Sequence, residues 1–218
     1  MAKIALGTWA WGAGAFGGDM VFGSKTDVET LKPVFDAAMK AGLSLWDTAT
    51  AYGMGESERI LGTMAKEYER KDVEISTKFT PQIAEVYENS VEKMALASME
   101  RMALEQGALS GKYNKENPLP EESDRGKKYN PVLEQLSALT DEMTAIGQKY
   151  GASCSQIGIA WAIAKGTLPI IGATKVRHVI EAAEAAKIQL TAEEVVRLEA
   201  LADATGINTR GGWEHSME

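Results

Sequence analysis

Cysteine occurs once in this chain of 218 residues, as Cys154, and histidine only twice, as His178 and His215. A single thiol excludes an intrachain disulfide and suits a reducing compartment. Nothing basic lies beside Cys154 in sequence, so it reads as a small buried apolar residue rather than a nucleophile. No metal site is expected. No apolar run reaches the ~18 residues of a membrane span, and the opening Met1-Ala2-Lys3-Ile4 lacks the apolar stretch of a signal peptide. The expectation is a cytoplasmic protein with no membrane partner. Basic excess is missing too. Lys and Arg number 23 against 31 Asp and Glu, a net charge of −8, which argues against nucleic acid as a partner. It does not argue against a phosphorylated cofactor, which a few amides and lysines can hold. Internal repeats and linker-like tracts are also lacking. With 44% hydrophobic and 25% charged residues, the chain has the make-up of one soluble domain over residues 1–218.

What is present is an alternation of strand-like and helix-like segments. Residues 4–9 read as a strand that runs into Gly12-Ala13-Gly14-Ala15-Phe16-Gly17-Gly18. Thr26 and Glu29 have capping-box spacing, and Leu31, Val34, Phe35, Ala38 and Met39 share a helical face. Pro33 suits that helix if it begins near Thr30, and Gly42 ends it. Residues 43–47 form a second strand, and Ser57 is placed to cap a helix carrying Ile60, Leu61 and Met64. Val73, Ile75 and Thr77 alternate with Glu74, Ser76 and Lys78 as a third strand, and residues 90–102 read as a third helix. Strands separated by helices of this length predict a parallel sheet.

After Met102 the alternation breaks. A loop-like run, Leu104 through Tyr113, is followed by a polar stretch containing Pro118 and Pro120. Pro131 then opens a long helix with Leu133, Leu136, Leu139, Met143 and Ile146 on one face, ending at Gly151. Residues 153–164 make another helix, with Ile157, Ala160, Trp161 and Ala164 inward. Residues 168–171 are a short buried strand and residues 175–186 a helix. Thr191-Ala192-Glu193-Glu194 caps the last one. Four strands are clear, and a fifth is expected near residues 102–105.

Asp47 ends the second strand, Tyr52 follows it and Lys78 ends the third, so all three fall at or just past the C-terminal ends of successive parallel strands, where a (β/α)8 barrel builds its active site. A phenol of pKa ~10 beside an ammonium of pKa ~10.4 shares a proton readily, because the positive charge favours the phenolate. A carboxylate would hold that ammonium charged. Such a trio suits protonation of a carbonyl oxygen as a hydride arrives from a nicotinamide. Each residue also has an ordinary structural use: a capping Asp, a packed Tyr, a solvated Lys.

The segment Ala41-Gly42-Leu43-Ser44-Leu45-Trp46-Asp47-Thr48-Ala49 through Tyr52, then Gly55-Glu56-Ser57-Glu58-Arg59-Ile60-Leu61-Gly62, resembles the signature of aldo-keto reductases of the bacterial type. The resemblance implies that Asp47, Tyr52 and Lys78 are three members of the family's catalytic tetrad. Gly7-Thr8-Trp9 is similar to the strand-one segment that faces the nicotinamide, which makes Thr8 and Trp9 candidate cofactor residues. Leu104 through Tyr113 is similar to the loop that wraps the cofactor pyrophosphate, with Gly107, Leu109, Ser110 and Lys112 as candidates. Pro169-Ile170-Ile171-Gly172 with Thr174-Lys175 is similar to the strand-eight segment leading to the adenosine ribose, with Gly172, Thr174 and Lys175 as candidates.

The two matching pieces are not neighbours in the family. Between Met102 and Leu104 the family places strands four, five and six and most of strand seven, and with them the fourth tetrad member, a His, and the groups that hold the nicotinamide. The resemblance therefore implies an incomplete (β/α)8, or TIM-type, barrel of four or five parallel strands. The implied activity is NADP(H)-dependent reduction of a small aldehyde or ketone, impaired by that loss, with the cofactor weakly bound if at all. The alternative is a non-catalytic oligomeric remnant or weak nucleotide binder. An open parallel sheet leaves two unpaired edges and a wet inner face, so a homo-oligomer is expected, most simply a dimer. The expected contact lies around residues 90–107, with Ile4, Leu6, Leu45, Ile75 and Ile170, or their neighbours, as the inward residues that pairing of two copies would cover.

Overall fold

In a computed structural model of the chain, residues 2–23, 25–78, 112–122, 127 and 129–207 are described. They fall into two compact units, one of Met1–Ala103 with Ile159–Ile188 and one of Leu104–Gly158 with Gln189–Glu218. The expected helix over residues 90–102, the possible strand near residues 102–105 and the expected contact around residues 90–107 lie outside the described residues.

The first unit is built on a parallel sheet. Its strands are β1 (Ala5–Gly7), β2 (Leu45–Asp47), β3 (Glu74–Ser76) and β4 (Ile170–Gly172), in the order β3-β2-β1-β4. Among the described residues the sheet is open, with β3 and β4 at its edges. The last strand in sequence thus pairs with the first, Ala5 opposite Ile170 and Gly7 opposite Gly172. A short helix α1 (Gly18–Phe22) follows β1, α2 (Val28–Lys40) joins β1 to β2, and α3 (Glu56–Ala65) joins β2 to β3.

Helix α2 starts one residue later than the spacing suggested. Asp27 is the cap, its carboxylate accepting from the Thr30 N–H, while the Thr30 hydroxyl takes the Asp27 N–H in return. Pro33 sits inside the helix on its exposed side. The hydrogen bond that it removes belongs to the carbonyl of Glu29, an exposed residue of the first turn. The opposite face, Leu31, Val34, Phe35 and Ala38, is buried. Phe35 stacks on Trp46 of β2 with ring centroids 4.7 Å apart. Trp11 flanks Trp46 at 5.3 Å and donates its indole N–H to the Ala173 carbonyl at 2.7 Å, tying the loop after β1 to the end of β4.

The pairing registers set which side chains share a face. Leu6 lies beside Trp46 and Ile171, and Trp46 beside Ile75, so these four occupy the face covered by α2. Leu45 and Ile170 occupy the other face with Ala5. The five residues expected to face inward together are therefore divided between two faces. Ile4 and Leu6 are fully buried, Leu45 and Ile170 half-buried, and Ile75 on the β3 edge is 41% exposed. Strands of three residues, covered to different degrees on their two sides, carry too little alternation to reveal this in sequence.

The second unit is helical. Here α4 (Leu133–Tyr150) follows a single 3-10 turn at Asn130–Val132 and buries the predicted stripe Leu133, Leu136, Leu139, Met143 and Ile146. It ends at Gly151 in the left-handed region, φ 63°. Helix α5 (Cys154–Ala164) begins in this unit and passes into the first at Ile159. Ile157 and Ala160 are buried as expected, but Trp161 is half-buried and Ala164 exposed. Cys154 is buried, and that burial pushes its thiol up from the ordinary range, in keeping with an inert residue.

In the first unit α6 (Val176–Ala185) follows β4, with Val179, Ala182 and Ala185 buried. In the second, α7 (Ala192–Ala204) carries the predicted capping box, Thr191 accepting from the Glu194 N–H and Glu194 from the Thr191 N–H. The buried Glu194 carboxylate also takes the Lys149 ammonium at 2.7 Å and the Tyr150 hydroxyl at 2.8 Å. No helix among the described residues is long and apolar enough to cross a membrane.

Candidate active site

Gly7, Asp47, Ser76 and Gly172 are in register across the four strands and form one row at their C-terminal ends. Two of the four positions are glycines, so bare backbone flanks the Asp47 side chain. A Cβ at Gly172 would meet nothing within 4 Å. With neighbouring strands ~4.8 Å apart, Gly172 lies roughly 10 Å across the row from Asp47.

Lys78, two residues past β3, brings the predicted trio together. Its ammonium donates to the Asp47 carboxylate at 2.6 Å, to the Thr48 carbonyl at 3.0 Å and to the Tyr52 hydroxyl at 3.4 Å. The ion pair is largely shielded, the Lys78 side chain being 13% exposed and that of Asp47 8%. The ammonium also sits 5.2 Å from the centre of the Tyr52 ring. A shielded carboxylate on one side keeps the lysine charged, and that charge faces the phenol oxygen on the other.

Tyr52 is held by a turn that needs unusual backbone. It opens a single 3-10 turn, Tyr52–Gly55, in which Gly53, Met54 and Gly55 all have positive φ. Gly53 is required twice over. Its φ is 62°, and a Cβ there would come within 2.8 Å of the Ala13 carbonyl oxygen. The glycine-rich loop after β1 thus packs against the turn that carries the phenol. Trp9, in that same loop, stacks on Tyr52 at 5.6 Å with the rings 16° from parallel, and donates its indole N–H to the Phe16 carbonyl at 3.0 Å. Phe22 meets Trp9 edge-on at 5.4 Å.

The candidate cofactor residues divide. Trp9 is half-buried against Tyr52 and Gly172 is exposed, both on the site side of the strand ends. Lys175 is exposed and caps α6. The Thr174 N–H donates to the ring nitrogen Nδ1 of His178 at 3.3 Å. Burial, aided by the neighbouring Arg177, holds His178 below the usual histidine range, toward the neutral form that accepts this bond. Thr8 does not line the site. It is fully buried beneath it, its hydroxyl donating to the Asp47 carbonyl at 3.2 Å. Lys112 is an exposed residue of the second unit, its ammonium 4.9 Å from the centre of the Tyr113 ring. Gly107, Leu109 and Ser110 lie outside the described residues.

One contributor escaped the sequence reading. Ser57 is not the helix cap, because Gly55 occupies that position in the left-handed region with no side-chain bond. The Ser57 side chain instead turns inward, fully buried, to within 2.8 Å of both the carbonyl and the hydroxyl of Thr8. The signal available in sequence was a set of hydroxyl residues, Thr8, Thr48 and Ser57, next to the strand ends.

A sequence model described as the aldo/keto reductase family matches residues 3–106 and 99–203. The chain is 45% identical over 71 residues to an aldo-keto reductase, YhdN, of Bacillus subtilis, a match that spans 33% of this chain and 19% of that protein. It is 22% identical over 308 positions to the chloroplastic pyridoxal reductase of Arabidopsis thaliana, covering 91% of this chain and 82% of the relative. That alignment is longer than the chain itself, so the relative carries sequence that this protein lacks. Among solved structures, the glycerol dehydrogenase of Gluconobacter oxydans superimposes with a TM-score of 0.68 at 19% identity, over 96% of this chain and 94% of that one. An aldo-keto reductase of Klebsiella pneumoniae, solved with NADPH, gives 0.58 at 18% identity over 95% and 92%. At such identities these superpositions speak for the fold.

Proposed function

The chain belongs to the aldo/keto reductase family, and on that premise we propose that it is a shortened carbonyl reductase whose remaining proton-handling groups are Tyr52, Lys78 and Asp47. One observation carries this reading: the Lys78 ammonium lies between the Asp47 carboxylate at 2.6 Å and the Tyr52 hydroxyl at 3.4 Å. Tyr52 gives its proton to the oxygen of a bound aldehyde or ketone. Lys78 stabilises the phenolate that results, and Asp47 keeps Lys78 charged and in place. A nicotinamide cofactor, when bound, would supply the hydride.

The residues present fit the adenosine end of such a cofactor. Gly172 offers bare backbone under open space, and the exposed Lys175 at the start of α6 suits a phosphate. A solved neighbour holds NADPH, and NADP(H) is the cofactor proposed here. The groups that would hold the nicotinamide belong to the part of the family's sequence that has no counterpart in this chain, so binding is expected to be weak. Losing a ring stack and two or three hydrogen bonds costs on the order of 3–5 kcal/mol, or ~10²–10³ in affinity. The same loss takes the histidine of the tetrad, which accounts for about 10²–10⁴ in rate if it served proton transfer. We further propose a homodimer in a reducing cytoplasm; the open sheet and its exposed β3 edge support the first, the lone buried cysteine the second.

The test is NADPH fluorescence on titration with protein, followed by NADPH oxidation with a reactive aldehyde. Slow turnover that Tyr52→Phe abolishes and Asp47→Asn reduces is expected. Turnover unchanged in Tyr52→Phe would place the chemistry elsewhere, no turnover at all would leave a non-catalytic remnant, and a submicromolar NADPH Kd would contradict the weak-binding argument.

A further inference from the structure

We propose that Ser57 is a positioning residue of the active site, setting the distance between Tyr52 and Lys78 through a sealed chain of hydroxyls. This inference rests on the reading that Tyr52, Lys78 and Asp47 are the reacting groups.

Three hydroxyl residues lie directly beneath the trio, and all are buried: Thr8 and Ser57 fully, Thr48 to 1%. Ser57 stands at their centre, 2.8 Å from the Thr8 carbonyl, 2.8 Å from the Thr8 hydroxyl and 3.4 Å from the Thr48 hydroxyl. Each hydroxyl has one proton to give, and a single direction satisfies all three. Thr48 donates to Ser57, Ser57 to Thr8, and Thr8 to the Asp47 carbonyl at 3.2 Å. That same Asp47 carbonyl receives the Thr8 N–H at 2.9 Å. The polar core thus fixes the backbone of residues 47 and 48.

Those two residues are where Lys78 is anchored, through the Asp47 carboxylate and the Thr48 carbonyl. Tyr52 reaches the site from the other direction. Its turn leads straight into α3, whose second residue is Ser57. The turn's backbone is tied to the end of β2 at Tyr52, whose N–H reaches the Ala49 carbonyl at 3.0 Å, while Gly53, Met54 and Gly55 beyond it all adopt left-handed conformations. Ser57 therefore clamps the element carrying the phenol to the elements carrying the ammonium. A 3.4 Å contact between Lys78 and Tyr52 is at the outer limit of a hydrogen bond. A small displacement of α3 would open it.

Removing the Ser57 hydroxyl would leave the Thr48 proton without its acceptor and the Thr8 hydroxyl without its donor, while the Thr8 carbonyl keeps the Trp11 N–H at 2.9 Å. No solvent reaches the pocket to compensate. The nearest relief is a shift of α3, and that shift is read at Tyr52.

The test uses full-length protein labelled with 3-fluorotyrosine, in which the Tyr52 fluorine signal is the one lost in Tyr52→Phe. Two variants guard against a folding failure: Ser57→Ala removes the hydroxyl, and Ser57→Cys keeps the volume with a weaker donor. Well below the melting temperature, both are expected to move the Tyr52 resonance while those of Tyr68 and Tyr150 stay in place. In the NADPH assay, kcat is expected to fall about tenfold with the KM for aldehyde changed less than twofold, as for a reacting group displaced by a fraction of an ångström. A Tyr52 resonance unmoved in both folded variants would overturn the proposal and leave Ser57 as a stabilising residue only. The fluorine signal decides this even if the unmodified chain proves inactive, a result that would count against the catalytic reading alone.

Discussion

Removal of the Lys78 ammonium tests whether the trio is the tightly coupled unit that its distances imply. Lys78→Met keeps most of the aliphatic stem and deletes the charge. The Asp47 carboxylate, 8% exposed, then loses a partner at 2.6 Å. Breaking a buried pair from one side costs about 3–5 kcal/mol, because the other charge stays behind in a poor solvent. The Lys78 side chain retains 13% exposure, and water at that rim offsets part of the loss, so about 2–4 kcal/mol is expected. In a chain of this size each kcal/mol shifts Tm by ~2–4 °C, which predicts a fall of roughly 5–15 °C. Asp47→Asn leaves Lys78 with the Thr48 carbonyl and the Tyr52 hydroxyl and is expected to cost less, about 1–2 kcal/mol. The double variant contains no stranded charge. Its cost is expected to undercut the sum of the singles by at least ~1 kcal/mol. Thermal melts followed by circular dichroism on the four proteins give the comparison. Strictly additive shifts would refute the reasoning, since the ion pair would then contribute nothing beyond its separate members.

Light scattering at micromolar concentration is expected to give twice the 23.5 kDa chain mass, because a two-fold axis parallel to the strands would set β3 of one copy beside β4 of the other and complete eight parallel strands; a cooperative monomer would contradict this. In the second unit, burial alone would raise the Glu194 carboxyl, but the Lys149 ammonium, the Thr191 N–H and the Tyr150 hydroxyl together hold it below the usual glutamate range. Its folded value is thus depressed, so its stabilisation is present above the ordinary value of ~4.3 and is lost as pH falls through the lower folded value. Glu194→Gln is expected to cost about 1–3 kcal/mol near pH 7, with its melting curve converging on that of the parent below pH ~4; a gap that stays constant from pH 7 to 3 would exclude the linkage.

The meeting of Asp47, Tyr52 and Lys78 was legible because all three are tied to strand ends, and strand ends follow from the βα alternation. The last helix was equally legible, since Thr191 and Glu194 have no competing cap nearby. Elsewhere, local rivals decided matters that spacing could not. Thr26 and Asp27 both can cap, and Asp27 won because Thr30 reciprocates. Ser57 looked like a cap, but Gly55 takes the left-handed position that starts the helix and frees the serine for Thr8. The stacking of Trp9 on Tyr52 depends on a loop whose path is set by close approach at Gly53, a contact between segments 40 residues apart that no periodicity reports. Thr8 was expected to face the cofactor because Gly7-Thr8-Trp9 resembles the family's strand-one segment. The alternation at Gly7 instead turns it under the row.

The pairing of β4 with β1 joins segments roughly 165 residues apart in the chain. Closing a loop of that length is an entropic expense that grows only with the logarithm of its size. The Arabidopsis relative aligns over about 90 positions more than this chain possesses. Restoring a stretch of that length would raise the closure term by about 0.4 kcal/mol. The seam between first and last strands is therefore nearly indifferent to how much polypeptide intervenes. A sheet whose outermost sequence segments are spatial neighbours can lose its middle and still find its own ends.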